Sequence, residues 1–185
     1  DGSGTLETTY VHSPVRQIGT VLATSSGSTA SSGTFAYYFQ DAIGSTRGLW
    51  DNSGDRLGKY YYTPFGGKYS EHGEDITRKF TGHDWDSETR LYNTAYRYYS
   101  PDSNRWLTRD PLGMVDGPNV YAYTVNNPVS MWDALGLCGQ SGGKTTRADC
   151  KAKIGEVLLD LQEVLVTKGV QFGVTSTMVS DVTGK

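Results

Sequence analysis

A mainly β fold of stacked antiparallel hairpins is what this sequence predicts, and three observations carry it. The chain holds 23 Gly and 13 Tyr with only 36% apolar residues, a mixture that suits short strands joined by many tight turns. The aromatic triplets Tyr37-Tyr38-Phe39 and Tyr60-Tyr61-Tyr62 recur 23 residues apart, the period of a repeated hairpin. Between them stand DNSGD (51–55) and PFGG (64–67), where Gly supplies positive φ, Asn and Asp tolerate it, and Pro presets the first turn position.

The elements follow in order. LETTYVHSPV and QIGTVLAT read as two short strands around a turn, and ATSSGSTASSGT (23–34) as a flexible loop or linker. This makes 1–34 a partial repeat with a Ser/Gly-rich loop, and 35–79 a pair of hairpin repeats. WDSETRLYN is a hairpin with an acidic turn, LYNTAYRYYS alternates as a strand, and PDSNRW is the next turn. RWLTRDP runs extended into Pro111, because the residue before Pro avoids the helical region. A single helical turn fits NVYAYTVN before Asn127-Pro128. MWDALGLCG (131–139) then places an acid beside a Trp, a flexible apolar turn and a lone Cys, and the β-rich body ends near 137. Beyond it, apolar residues at 154, 157, 158, 161 and 165 form the ladder of an amphipathic helix over 147–168. Thr146 is its N-cap and Gly169 its C-terminal stop. The strand-like VQFGVTSTMVSDV completes a small α+β segment, 138–185.

Several function classes are disfavoured. A net charge of −3 offers no basic field for nucleic acid. No apolar run reaches the roughly 20 residues of a membrane span. His12, His72 and His83 are scattered and no Cys/His cluster has zinc spacing, so neither a metal nor a cofactor is expected. GSTRG (44–48) lacks the Lys and the spacing of a phosphate loop. The chain opens on Asp1 without a signal peptide and reads as a piece of a longer protein. Cys138 and Cys150 can pair in an oxidising compartment. A Cys138 nucleophile served by His83 is the weaker alternative, since no base stands near Cys138 in sequence.

FTGHDWDSETRLYNTAYRYYSPDSNRWLTRDPLGMVDGPNVYAYTVNNPVSMWDALGL (80–137) resembles the RHS repeat-associated core, and DAIGSTRGLWDNSGDRLGKYYYTPFG upstream resembles the YD repeats of the same family. The resemblance implies a hollow shell of spiralling β-hairpins closed by the core domain. It also implies an aspartyl self-cleaving site and a variable C-terminal domain, often a toxin, held inside. The family marks its site by two Asp-Pro-x-Gly elements with an Arg upstream. These fall on Asp110-Pro111-Leu112-Gly113, on Asp133-Ala134-Leu135-Gly136 after 19 intervening residues, and on Arg97. Cleavage would fall between Leu137 and Cys138, and Gly113 and Gly136 are the motif glycines. The second Pro is replaced by Ala134, which loses a φ restraint at the turn while the catalytic groups remain. Implied partners are the rest of the β-shell, the enclosed C-terminal domain, a secretion-system component and an immunity protein. The implied location is secreted or at the cell surface.

The chemistry suits such residues. Peptide hydrolysis needs water activated on one side and the leaving amine protonated on the other. Two close carboxylates do both, since like charges raise one pKa. Arg97 would orient a carboxylate or stabilise negative charge. Taken singly, each Asp reads as a turn cap, and Arg97 as a cross-strand ion-pair partner. A non-enzymatic hairpin scaffold for surface adhesion is therefore the competing reading, and the tyrosine runs as a sugar-binding face a weaker one. Convergence of Asp110 and Asp133 discriminates between the first two.

Overall fold

A computed structural model of the chain describes residues 9–12, 21–26, 34–141, 144–145, 150 and 152. Its first body is a six-stranded antiparallel meander in sequence order. The strands are β1 (Thr9–His12), β2 (Val21–Ser26), β3 (Thr34–Gln40), β4 (Thr46–Trp50), β5 (Arg56–Tyr62) and β6 (Lys68–Gly73). Four shorter strands form a second antiparallel sheet: β7 (Asp84–Asp86), β8 (Leu91–Asn93), β9 (Tyr98–Ser100) and β10 (Arg105–Trp106). A third, small ladder pairs β11 (Gln140–Ser141) with β12 (Lys144–Thr145). The mainly antiparallel β class holds. Most of the expected α+β segment, including nearly all of its helix at 147–168, lies outside the described residues.

Local chemistry explains the hairpins. In the β4–β5 turn, Asp51 Oδ1 accepts the amides of Ser53 and Asp55, each at 2.8 Å. In the β3–β4 turn, Asp41 Oδ1 accepts those of Ile43 and Ser45 at 3.1 and 2.9 Å. These Asx turns fix loop length and hence register. Three local expectations differ from the fold. Ser25 and Ser26, expected in a loop, extend β2, with Ala23 and Ser25 buried, because Ala23 and Ser25 face Tyr37 and Phe35 of β3 across the ladder. The single strand expected over LYNTAYRYYS is two, β8 and β9, broken where Thr94 Oγ1 bonds the Arg97 carbonyl at 2.7 Å. The turn near NVYAYTVN is left-handed: Thr124, Val125 and Asn126 have φ of +47°, +55° and +58°, at a cost of about 1–2 kcal/mol per residue.

The tyrosines explain the core. Phe80, Tyr92, Tyr99, Trp106 and Tyr123 are buried together, with Ile43, Tyr62 and Trp85 packed against them. A buried phenol needs an acceptor, and turn carbonyls supply it. Tyr92 donates to Gly66 O at 2.9 Å, Tyr99 to Phe65 O at 2.8 Å, and Tyr60 to Glu74 O at 2.6 Å. The Tyr92 and Tyr99 bonds tie β8 and β9 to the β5–β6 turn, so the aromatic core joins the two sheets. A separate cluster of Leu137, Cys138 and Cys150 forms under Tyr96, Leu112, Val115 and Leu135. The site lies between these two clusters.

Candidate functional site

Arg97, Asp110 and Asp133 converge. Arg97 sits at the entry to β9, where its amide bonds Thr94 Oγ1 at 3.2 Å, and its guanidinium lies 4.3 Å over the Trp106 ring. One of its nitrogens, Nη2, contacts Asp110 Oδ2 at 2.8 Å and Asp133 Oδ2 at 3.1 Å. The two carboxylate oxygens therefore lie no further apart than the sum of those contacts, 5.9 Å. All three side chains are at least 95% buried. Asp110 is placed by its own amide, bonded to Val120 O at 3.0 Å, while its Oδ1 accepts the Leu112 amide at 2.8 Å.

The Leu137 seam is held beside this cluster. Asp133 Oδ1 accepts the amides of Gly136 and Leu137, each at 2.9 Å. Arg97 Nε donates to the Gly136 carbonyl. The Gly136–Leu137 peptide plane is thus gripped on both edges, and Leu137–Cys138 is the next bond along. The hydrogen bonds of Arg97 and Asp133 all fall on its N-terminal side. Around it the backbone closes on itself: Trp132 and Gln140 exchange amide–carbonyl bonds of 3.0 and 2.6 Å. Both Asp residues do cap turns, so the turn-cap reading of each is correct as far as it goes, and the convergence is additional. The Ala134 turn is supported from another direction, the Tyr96 amide bonding Leu135 O at 3.2 Å.

Gly136 has φ of +77°, and a Cβ there would collide with Thr94 Oγ1 and stand 3.2 Å from the Arg97 amide. Gly136→Ala therefore strains the turn and pushes against Arg97 together, costing roughly 1–3 kcal/mol. Urea unfolding checks it; an unchanged midpoint would show that the turn gives way freely. Gly113 also has positive φ, +72°, but open space around its Cβ position; it shapes the Asp110 turn without touching the cluster.

Burial governs the electrostatics. Desolvation pushes Asp133 up to about 6, opposed by Arg97 and the Leu137 amide and assisted by the charges of Asp110 and Asp116. Desolvation raises Asp110 as well, with Arg97 pulling the other way. Between the unfolded value near 4 and about 6, folded Asp133 binds a proton that the unfolded chain does not. Its contribution to stability is thus present below that window and lost as pH rises through the folded value. The ionised form costs on the order of 3 kcal/mol at neutral pH. In an Asp110→Asn background, adding Asp133→Asn should flatten the fall in urea midpoint between pH 4 and 7. Parallel pH curves for the two proteins would mean Asp133 titrates normally.

Other sequence candidates resolve differently. Cys138 and Cys150 form a disulfide, so the Cys138 thiol is committed and the Cys138–His83 nucleophile falls. His83 is itself buried, and desolvation, with Arg78 adding to it, pulls its pKa down to about 3, which leaves it neutral. The aromatic triplets divide between faces: Tyr60 is 1% exposed, Tyr37 48% and Tyr61 37%. Sequence reasoning missed Asp116, whose Oδ2 accepts the Gly139 amide at 3.0 Å. It also missed Trp106 as the surface on which Arg97 rests. Nothing in MVDG separates Asp116 from an ordinary turn acid.

No family model matches the chain. Toxin subunit YenC1 of Yersinia entomophaga is 33% identical over 107 residues, 55% of this chain and 11% of that protein. Toxin protein Tse5 of Pseudomonas aeruginosa is 46% identical over 59 residues, 32% of this chain and 4% of that protein. Among solved structures, TcdB2-TccC3 without its hypervariable C-terminal region superposes with a TM-score of 0.56 at 31% identity, over 62% of this chain and 6% of that one. In sequence and fold the chain resembles the Rhs-type proteins. It spans about a tenth or less of the length of each of these relatives. The Rhs resemblance and the antiparallel β-hairpin architecture expected from it are both met. The three residues that the resemblance marks, Arg97, Asp110 and Asp133, are the ones brought together here.

Proposed function

We propose that this chain is part of an Rhs β-shell that encloses a variable C-terminal cargo and cuts itself free of that cargo between Leu137 and Cys138. The observation that carries this reading is the sharing of one guanidinium nitrogen, Arg97 Nη2, by two buried carboxylates beside the seam. A turn-shaping role for each Asp would not require them to meet, so the adhesion scaffold leaves the convergence unexplained.

The two acids divide the work by environment. Asp110 is the more accessible, 8% exposed against 2% for Asp133, and serves as the base that takes a proton from water. Asp133, pushed up to about 6 by burial, holds the proton that the leaving amine needs. Water oxygen adds to the Leu137 carbonyl carbon and the carbon–nitrogen bond breaks. The Asp133 proton then passes to the Cys138 nitrogen. Arg97 lies between the carboxylates throughout and offsets their charge. The reaction occurs once per molecule, because the substrate is the chain itself.

The relatives named as toxins support a toxin as the cargo, with residues 138–185 its beginning. A secretion-system component and an immunity protein would accompany it. The Cys138–Cys150 disulfide fits an oxidising compartment and hence export or surface display. The intact mass of the purified chain tests the reading. Products of 137 and 48 residues support a cut after Leu137. A 136-residue product would move the cut to the gripped Gly136–Leu137 plane, and a single uncut species would sink the proposal.

A further inference from the structure

Asp116 lies at the end of the short turn Gly113–Asp116 that follows Asp110. An acid there would ordinarily cap its own turn. Its hydrogen bond instead reaches 23 positions along the chain, to the Gly139 amide at 3.0 Å. Gly139 is closely surrounded: a Cβ would stand 2.8 Å from Met131 Cε, 3.4 Å from Asp116 Oδ2 and 3.5 Å from Thr124 Cα. The other oxygen of Asp116, Oδ1, is buried and has no hydrogen-bond partner among the described residues. A buried carboxylate oxygen left open costs free energy, so a turn cap alone does not account for this side chain.

The seam explains the arrangement. On one side, Asp133 Oδ1 holds the Leu137 amide at 2.9 Å. On the other, Asp116 Oδ2 holds the Gly139 amide at 3.0 Å. Leu137–Cys138 is the peptide bond that runs from the first pinned residue toward the second. We propose that Asp116 is a positioning residue for self-cleavage, fixing the leaving strand at Gly139 so that the Leu137–Cys138 bond is held against the Asp110–Asp133 pair. The inference rests on the self-cleavage reading above. Asp116 does not touch the reacting atoms; it acts through the backbone of Gly139. Its negative charge has a second effect, adding to the rise of both Asp110 and Asp133. That helps Asp133 keep its proton as pH increases.

The test uses the full 185-residue chain, refolded from urea by dilution to start the reaction, with products followed by intact mass from pH 4.5 to 8. Asp116→Ala loses both the anchor and the charge, and its cleavage should slow by about 10²-fold, the cost of a small misplacement at a reacting bond. Asp116→Asn keeps an acceptor for Gly139 but not the charge. It should retain most of the rate while the alkaline limb of its pH profile moves to lower pH. A merely structural role would lower the yield of folded protein without moving that limb. If both variants cleave at the parent rate with the parent profile, the inference fails and the Asp110–Asp133 reading stands. If the parent itself stays uncut, that reading fails and this one with it. Should Asp116→Ala not fold, Asp116→Asn decides, and an unmoved alkaline limb overturns the proposal.

Discussion

If the chain cuts itself as proposed, Asp110→Asn and Asp133→Asn should each leave it as one uncut species, where the parent should yield two pieces. The two variants fail for different reasons. Asn at 110 cannot take a proton from water, and Asn at 133 has none to give the leaving amine. Each defect should slow the reaction by roughly 10²–10⁴-fold. Neither change alters side-chain volume much, and Asn retains an oxygen for the amides that Asp133 now holds. The double variant should be little worse than either single one, because the two acids act as a unit. Intact mass reads this directly. A chain that still divides with Asn at both positions would hand the cleavage to some other group.

Arg97→Met is the second large effect, and it strikes stability as well as cleavage. The guanidinium is the shared partner of Asp110 and Asp133 and also supports the Gly136 carbonyl. Met restores apolar contact with Trp106 but leaves two buried carboxylates without a cation. Breaking a buried pair in this way costs about 3–5 kcal/mol, and in a domain of this size roughly 10 °C or more of Tm. The loss should shrink in acid, where the carboxylates protonate. Arg97→Lys keeps the charge but cannot fork between Nη2 and Nε, so it should fall between the two. Thermal unfolding at pH 4.5 and pH 7 checks the set. Equal Tm for Arg97→Met and the parent at pH 7 would show that the cluster carries no net charge to balance.

Much of this was legible in the chain. The Asp51 turn and the 23-residue aromatic period are local signals, and β3–β6 follow them closely. The Asp110–Asp133–Arg97 set was legible only through the resemblance to the RHS core, because nothing local says that Arg97 and Asp133, 36 positions apart, are partners. What escaped is what tertiary contact decides. Ser25 sits in a low-complexity run yet is buried in β2 by its neighbours. The left-handed turn at Thr124–Asn126 goes against the preference of a β-branched Val125, and only the surrounding fold can impose it. Asp116 carries no sequence mark at all, because its role depends on where Gly139 arrives.

The Trp132–Gln140 exchange would give the proposed cut a consequence of its own. It straddles the seam, so a nick leaves two polypeptides still registered through it, and unfolding changes molecularity. One chain with a folding constant becomes two chains with a dissociation constant, and persistence of the pair then depends on dilution. Hydrolysis and departure would then become separate events, the first set by the acids and the second by how crowded the partners remain.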